Sequence, residues 1–269
     1  MVQPTPLKGR SDRLLKRRTD VIRVGIAGAN GKMGALTATT LQAADDIEYV
    51  GGLVRKGTAQ PGQFDDTAAF IAAAKPDVLV DFSLFPDSKR IALDALERGV
   101  RPVIGTSGYG PDDLADIRSA VERTGVGAIF APNFSVGAVL MMRFALAAAP
   151  RYDAVEIVET HESGKKDAPS GTAMTTARKL AGSGAFARAE TKVIKAPGAR
   201  GADVSGIGVH SLRLPGIVAQ QEVVLGGQGE ILSIRHQSLS RQSFMPGVLL
   251  AVRAAKDLAR FVDGLDELV

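Results

Sequence analysis

From Val21 onward the chain alternates short apolar runs with stretches of helical periodicity, the pattern of βαβ units around a parallel sheet. Val21–Ala27 predicts a first strand and Lys32–Ala44 its helix. A second strand follows over Ile47–Val54, then a short helix over Thr67–Ala74. Asp77–Phe82 is a near-continuous apolar strand, with a helix over Asp87–Arg98. Arg101–Ile104 and Gly127–Ala131 predict two more strands, with Asp112–Arg123 helical between them. Five strands with intervening helices predict an α/β domain built on a doubly wound parallel sheet.

After Pro150 the rhythm changes. Ala154–Thr160, Thr191–Ala196, Gly208–Leu214, Val218–Leu225 and Ile231–His236 read as strands with few helices between them. They predict an α+β second domain with a mixed or antiparallel sheet. Val223-Val224-Leu225 and Ile231-Leu232-Ser233-Ile234 are apolar enough to suggest cover by another subunit. A final helix over about Gly247–Val262 is expected to return to the first domain. The expected division is a basic arm over 1–20, a first domain over 21–134 completed by 245–269, and a second domain over 135–244.

Composition narrows the chemistry. The 269 residues are 45% hydrophobic and 23% charged, as in a globular protein that stays in water. No run approaches the roughly 18–20 apolar residues of a membrane span; Val136–Ala149 is too short and contains Arg143. Cysteine is absent, which removes disulfides, thiolate metal sites and cysteine nucleophiles, and fits a reducing, cytoplasmic setting. No metal site is expected. Net charge is only +4, and Lys8, Arg10, Arg13, Lys16, Arg17 and Arg18 concentrate part of it in the first twenty residues. A solvated arm accounts for them, and no nucleic-acid or membrane partner is expected.

Gly28-Ala29-Asn30-Gly31-Lys32-Met33-Gly34 joins the first strand to the first helix. Its G-x-x-G-x-x-G register gives a sharp turn, close backbone approach to a pyrophosphate and helix N–H groups aimed at it. In a βαβ series this points to a dinucleotide. An NAD site would place an acid near the end of the second strand; here Gly52-Leu53-Val54-Arg55-Lys56-Gly57 supplies two cations instead. They suit an adenosine 2′-phosphate, so NADPH is the expected cofactor, with NADH also usable. Gly105-Thr106-Ser107-Gly108 and Ala131-Pro132-Asn133-Phe134-Ser135 end the fourth and fifth strands, where ligands of such sheets bind.

In the second domain, His161 stands four residues before Lys165, and Pro169-Ser170-Gly171-Thr172 opens a helix. A histidine that carries a proton near neutrality, an ammonium and a helix start suit a small anionic substrate. The other two histidines, His210 and His236, fall within predicted strands and read as structural.

These motifs resemble the 4-hydroxy-tetrahydrodipicolinate reductase (dihydrodipicolinate reductase) family. The carriers are the glycine loop, Gly105-Thr106-Ser107-Gly108, Asn133-Phe134-Ser135-Val136-Gly137, Glu159-Thr160-His161 and Lys165-Lys166-Asp167-Ala168-Pro169-Ser170-Gly171-Thr172-Ala173. The last is highly specific, and the resemblance runs from about Ile22 to the C-terminus. It implies a Rossmann-like nucleotide-binding domain, a substrate-binding and tetramerisation domain, and a hinge that closes them over the ligands. The implied reaction is NAD(P)H-dependent reduction of a cyclic dicarboxylate to tetrahydrodipicolinate, in diaminopimelate and lysine biosynthesis, by a homotetramer. His161 falls on the family's acid/base and Lys165 on its proton-donating lysine. Gly171 and Thr172 fall on its substrate-carboxylate contacts, with Ser170 beside them. Gly28, Ala29, Asn30, Gly31, Lys32, Met33, Arg55, Gly105, Thr106, Ser107, Ala131, Pro132, Asn133 and Phe134 fall on its cofactor contacts.

Two positions depart from the family pattern. Glu162 replaces a second histidine that contacts substrate, and a carboxylate there repels a dicarboxylate unless it turns away or is neutralised by Lys165 or Lys166. Leu84 stands where many members have arginine. Two other readings fit the same chain: a reductase of this fold acting on another cyclic imine or keto acid, and a non-catalytic NADP(H) sensor. Survival of both His161 and Lys165 argues against the sensor.

Overall fold

The computed structural model describes residues 21–184, 186 and 188–269. The basic arm expected over residues 1–20 lies outside them. The chain divides into two compact units. One holds the described residues up to Phe134 together with Gly247–Leu268; the other holds Ser135–Pro246 and Val269.

The first unit begins with β1 (Ile22–Ala27), α1 (Lys32–Gln42), β2 (Ile47–Leu53) and α2 (Thr67–Ala74). It continues through β3 (Val78–Asp81), α3 (Asp87–Glu97), β4 (Arg101–Ile104), α4 (Pro111–Thr124) and β5 (Ala128–Phe130). Val24, Ile26, Val78, Leu79 and Val80 are all buried, because both faces of the sheet are covered. One layer packs Phe70, Ile71, Ile91 and Ala95 against Ala27, Leu53 and Leu79. The same layer, which shares α3, also packs Ala92, Leu96, Ile117 and Val121 against Ile104, Ala128 and Phe130. Pairing β1 with both β2 and β3 creates a switch point, so the loop after β1 opens where ligands of such sheets bind.

The end of the chain departs from expectation. The helix expected to reach Val262 is α7 (Met245–Ala255), and the chain then forms a strand, β11 (Phe261–Asp263). This strand pairs in parallel with β5 and completes a six-stranded sheet ordered β11-β5-β4-β3-β1-β2. An uncovered β5 edge would leave backbone groups unpaired, and that demand outweighs helical continuation. The connection is pinned at Leu258, whose carbonyl accepts from Gly127 N at 2.9 Å and from Arg101 Nε at 3.1 Å.

The second unit starts with α5 (Val136–Ala148), β6 (Ala154–Glu162) and α6 (Gly171–Ala181). It then adds β7 (Ala202–Val204), β8 (Ile207–Leu214), β9 (Ala219–Gly227) and β10 (Glu230–Ser238). Its mixed sheet is ordered β10-β9-β6-β8-β7, with β6 and β8 parallel and the other pairs antiparallel. Val155, Ile157, Val209, Val223 and Leu225 face Ala145, Ala173, Ala177 and Leu180 in its core. Val223 and Leu225 therefore find cover inside the chain, from α5 and α6, rather than needing a second subunit. Ile231, Leu212 and Leu214 remain exposed. The strand expected over Thr191–Ala196 does not form. Among the described residues no strand pairs with it, and Val193 and Ile194 stay exposed, so β-propensity has no sheet to join.

Candidate active site

Gly28 follows β1 with φ +76, and a Cβ there would lie 2.6 Å from the Phe82 carbonyl oxygen. Only glycine lets the turn pass this close to the end of β3. A Cβ on Gly34 would collide with the Gly28 carbonyl and the Ala29 backbone, so α1 packs tightly onto the turn. Gly31 is the N-cap of α1 and has no side chain to offer the first-turn amides. By contrast, Asp66, Ser135 and Ser170 cap α2, α5 and α6 with their side chains. A helix start capped only by glycine fits a bound pyrophosphate.

A cleft of about 760 Å³ opens beside this turn. Gly28, Asn30, Gly31 and Arg55 line it, together with Lys56, Ser83, Leu84 and Arg90. Arg55 and Lys56 are exposed on its wall. Asp65 and Asp66 line it too, which the sequence around Arg55 does not foretell. Both carboxylates are engaged: Asp65 accepts from Gly57 N at 2.7 Å, and Asp66 accepts from Ala69 N at 2.8 Å. Asn30 accepts from Gln63 Nε2 at 2.8 Å, tying the glycine turn to the loop after β2.

The loops after β3 and β4 meet around a buried acid. Asp81 accepts from Ser83 N at 2.7 Å and from the Ser88 hydroxyl, which also meets the Tyr109 hydroxyl at 2.8 Å. Burial pushes the carboxyl of Asp81 and the phenol of Tyr109 upward. Gly105 N donates to Asp81 O at 2.9 Å, and Thr106 Oγ1 donates to Ser83 O at 2.9 Å. Ser107 is exposed beyond them. After β5, Ala131 is buried with its amide on Ile104 O, while Pro132 is exposed, Asn133 half-buried and Phe134 buried. The Phe134 ring meets Phe82 edge-on. Ala29, Lys32 and Met33 complete the glycine turn and the first turn of α1.

In the second unit, strand alternation puts Val155, Ile157, Glu159 and His161 on one face of β6. Glu159 continues the buried row at 0% exposure, and its carboxylate is fully engaged. His161 Nδ1 lies 2.5 Å from Oε2, and Arg213 closes a fork on both oxygens at 3.0 Å each. Ser170 N donates to Oε1 at 3.2 Å. Burial pushes this carboxyl up, but the hydrogen bonds from His161, Arg213 and Ser211 outweigh it and hold its pKa at about 2. Parallel pairing sets Arg213 directly opposite His161, which explains its reach.

A tight turn, with Lys165 N on Glu162 O at 3.0 Å, leads from β6 into the lysine-rich segment. Lys165 Nζ donates to Asp167 Oδ1 at 2.8 Å, and that contact lowers the Asp167 carboxyl. Arg213 Nη2 also donates to Asp167 O at 2.6 Å. Ser170 caps α6 by accepting from Ala173 N, so Gly171 and Thr172 form its first turn. Glu162 lies on the opposite face of β6 and meets Arg241 at 3.1 Å. Neither Lys165 nor Lys166 is its partner in this pair. His210 pairs with Glu156 at 2.7 Å, and His236 meets Ser135 at 3.2 Å, its ring held toward the neutral form by burial.

Family models described as dihydrodipicolinate reductase, N-terminus and C-terminus, match residues 22–134 and 137–268. The chain belongs to the dihydrodipicolinate reductase family. The 4-hydroxy-tetrahydrodipicolinate reductase of Halalkalibacterium halodurans is 41% identical over 265 residues, spanning 93% of this chain and 100% of that protein. Its counterpart in Geobacillus kaustophilus is 43% identical over 263 residues, spanning 92% and 99%. A solved dihydrodipicolinate reductase from Paenisporosarcina sp. TG-14, with dipicolinate bound, has a TM-score of 0.84 at 36% identity, covering 93% of this chain and 100% of that one. The two family models thus span both units, and the N-terminal one covers the part of the first unit that carries the glycine turn. Among the described residues no cluster of histidines and acids could hold a metal, and no helix is long and apolar enough to cross a membrane.

Proposed function

We propose that this chain reduces 4-hydroxy-tetrahydrodipicolinate to tetrahydrodipicolinate with NADPH as the preferred cofactor. The single observation that carries this reading is the meeting of His161 with the Ser170-Gly171 helix start through one buried carboxylate. That arrangement sets a proton-carrying ring near amides suited to a carboxylate. When bound in the cleft beside Gly28, the reduced nicotinamide cofactor supplies the hydride.

The residues of the chain then do the rest. Loss of water from the 4-hydroxy form leaves a conjugated imine, and hydride addition builds negative charge in the ring. His161 supplies the proton that quenches it. Lys165 places an ammonium against the developing charge or a substrate carboxylate, and the Gly171 and Thr172 amides hold the other carboxylate. Arg55, with Lys56 beside it, supports NADPH over NADH by offering charge-assisted partners to a 2′-phosphate. The dipicolinate carried by the Paenisporosarcina relative supports a planar dicarboxylate in the same role here. Exposed Ile231, Leu212 and Leu214 on the outer face of the second sheet support a homotetramer, and the cysteine-free chain suits the cytoplasm.

The test is oxidation of NADPH, followed by loss of nicotinamide absorbance, with substrate generated enzymatically in place. Turnover, and competitive inhibition by dipicolinate, are expected. Absence of oxidation with this substrate, alongside oxidation with a different cyclic imine, overturns the assignment.

A further inference from the structure

We propose that Glu159 is the positioning residue of His161, fixing the ring so that Nδ1 carries hydrogen and Nε2 is the atom that exchanges the catalytic proton. The inference rests on the reading of His161 as the acid, and adds a role for residues that the motif does not assign.

The geometry leaves few alternatives. An ionised carboxylate can only accept hydrogen bonds, so at 2.5 Å the Nδ1 atom must be the donor. Arg213 keeps the carboxylate ionised by occupying both oxygens, and it is itself anchored on the Asp167 carbonyl. Glu159 has no exposure to solvent, so water cannot compete with the ring for its carboxylate. With Nδ1–H committed, only Nε2 remains to deliver the proton. After delivery the ring is neutral with its hydrogen still on Nδ1, ready to be recharged at Nε2 from solvent. The same carboxylate accepts from Ser170 N, the cap of α6. Ring orientation and the placement of the Gly171 helix start are therefore set by one group, which a generic core acid would not achieve.

The first measurement is nitrogen NMR of ring-labelled histidine in the intact protein. Only three histidines are present, so His161→Asn identifies the relevant signal. Hydrogen on Nδ1 at every pH is expected in the wild type; a neutral ring with its hydrogen on Nε2 overturns the proposal. In Glu159→Gln the signal should shift to mixed tautomers, while kcat falls by about 10²-fold and KM for the dicarboxylate changes less than about threefold. Unchanged ring signals and kcat in a folded variant overturn the proposal. Arg213→Lys keeps a cation beside Glu159 but cannot fork both oxygens, so the Nδ1–H signal should persist while kcat falls severalfold; loss of the Nδ1–H signal in the folded variant overturns the assigned order of dependence. Should Glu159→Gln fail to fold, the wild-type spectrum and Arg213→Lys still decide. A wild type inactive on the proposed substrate but showing the Nδ1–H ring would reject the substrate and keep the positioning.

Discussion

The Glu162 carboxylate is held by the Arg241 guanidinium at 3.1 Å. Both groups are partly exposed, so the pair is worth under about 1 kcal/mol of stability. Its consequence is electrostatic: the negative charge of Glu162 is compensated in place. Arg241→Ala should leave Tm nearly unchanged and raise KM for the dicarboxylate about tenfold. Adding Glu162→Gln to that variant should restore most of the loss. Steady-state kinetics on the three proteins checks this; a double variant no better than Arg241→Ala would rule out charge compensation.

Arg55 sits on the wall of the cleft beside the glycine turn. Losing a charge-assisted contact typically costs about 1.5–3 kcal/mol. Arg55→Ala should therefore raise KM for NADPH about tenfold or more and leave KM for NADH within about twofold. Equal effects on both cofactors would remove the 2′-phosphate from the argument.

Gly34 has no room for a methyl group against Gly28 and Ala29. Gly34→Ala should destabilise by about 1–3 kcal/mol, as overpacking generally does. It should also weaken cofactor binding, because the turn must shift to accept the methyl. Thermal melts and fluorescence titration with NADPH read the two effects separately.

His161→Ala should lower kcat by about 10²–10⁴, the usual contribution of a general acid. Lys165→Ala should damage both kcat and KM, since the role proposed for its ammonium covers the substrate as well as the charge that develops. Pre-steady-state and steady-state kinetics with dipicolinate competition distinguish the patterns; an unchanged kcat for His161→Ala would dismiss it as the acid.

Stability should depend on acid through Glu159. The folded state holds this carboxyl at about 2 against an ordinary 4.5, so it binds the proton more weakly than the unfolded chain. The contribution, about 3 kcal/mol, is full above pH 4.5 and drains away as the pH falls towards 2. Denaturant unfolding of wild type and Glu159→Gln across that window should show the gap between them narrowing. A constant gap would mean the carboxyl titrates normally.

The buried strands were the most legible part of the chain. β1 and β3 are apolar on both faces because both are covered, and that demand writes itself as an unbroken run at Val78–Val80. β11 is three residues long, and what makes it a strand is the β5 edge rather than its own composition. Thr191–Ala196 is the converse, with strand-forming side chains and no edge to receive them. In the site, His161 and the glycine turn carried local signals. Glu159 could have been found from its two-residue offset to His161 on an alternating strand. Arg213 could not, since only the parallel register of β6 and β8 brings it alongside, and Arg241 carries no mark tying it to Glu162.

The late arrival of β11 in the first sheet also sets an order of events during synthesis. Every other strand of that sheet leaves the ribosome before Ser135, whereas the strand that covers β5 must wait until residues 261–263 have been made. In between, the whole second unit is translated while β5 presents an open edge, the kind of surface on which nascent chains pair wrongly. A chain interrupted after Ala255 would keep that edge permanently, and the cell would meet it as an aggregation-prone fragment rather than as a cofactor-binding domain.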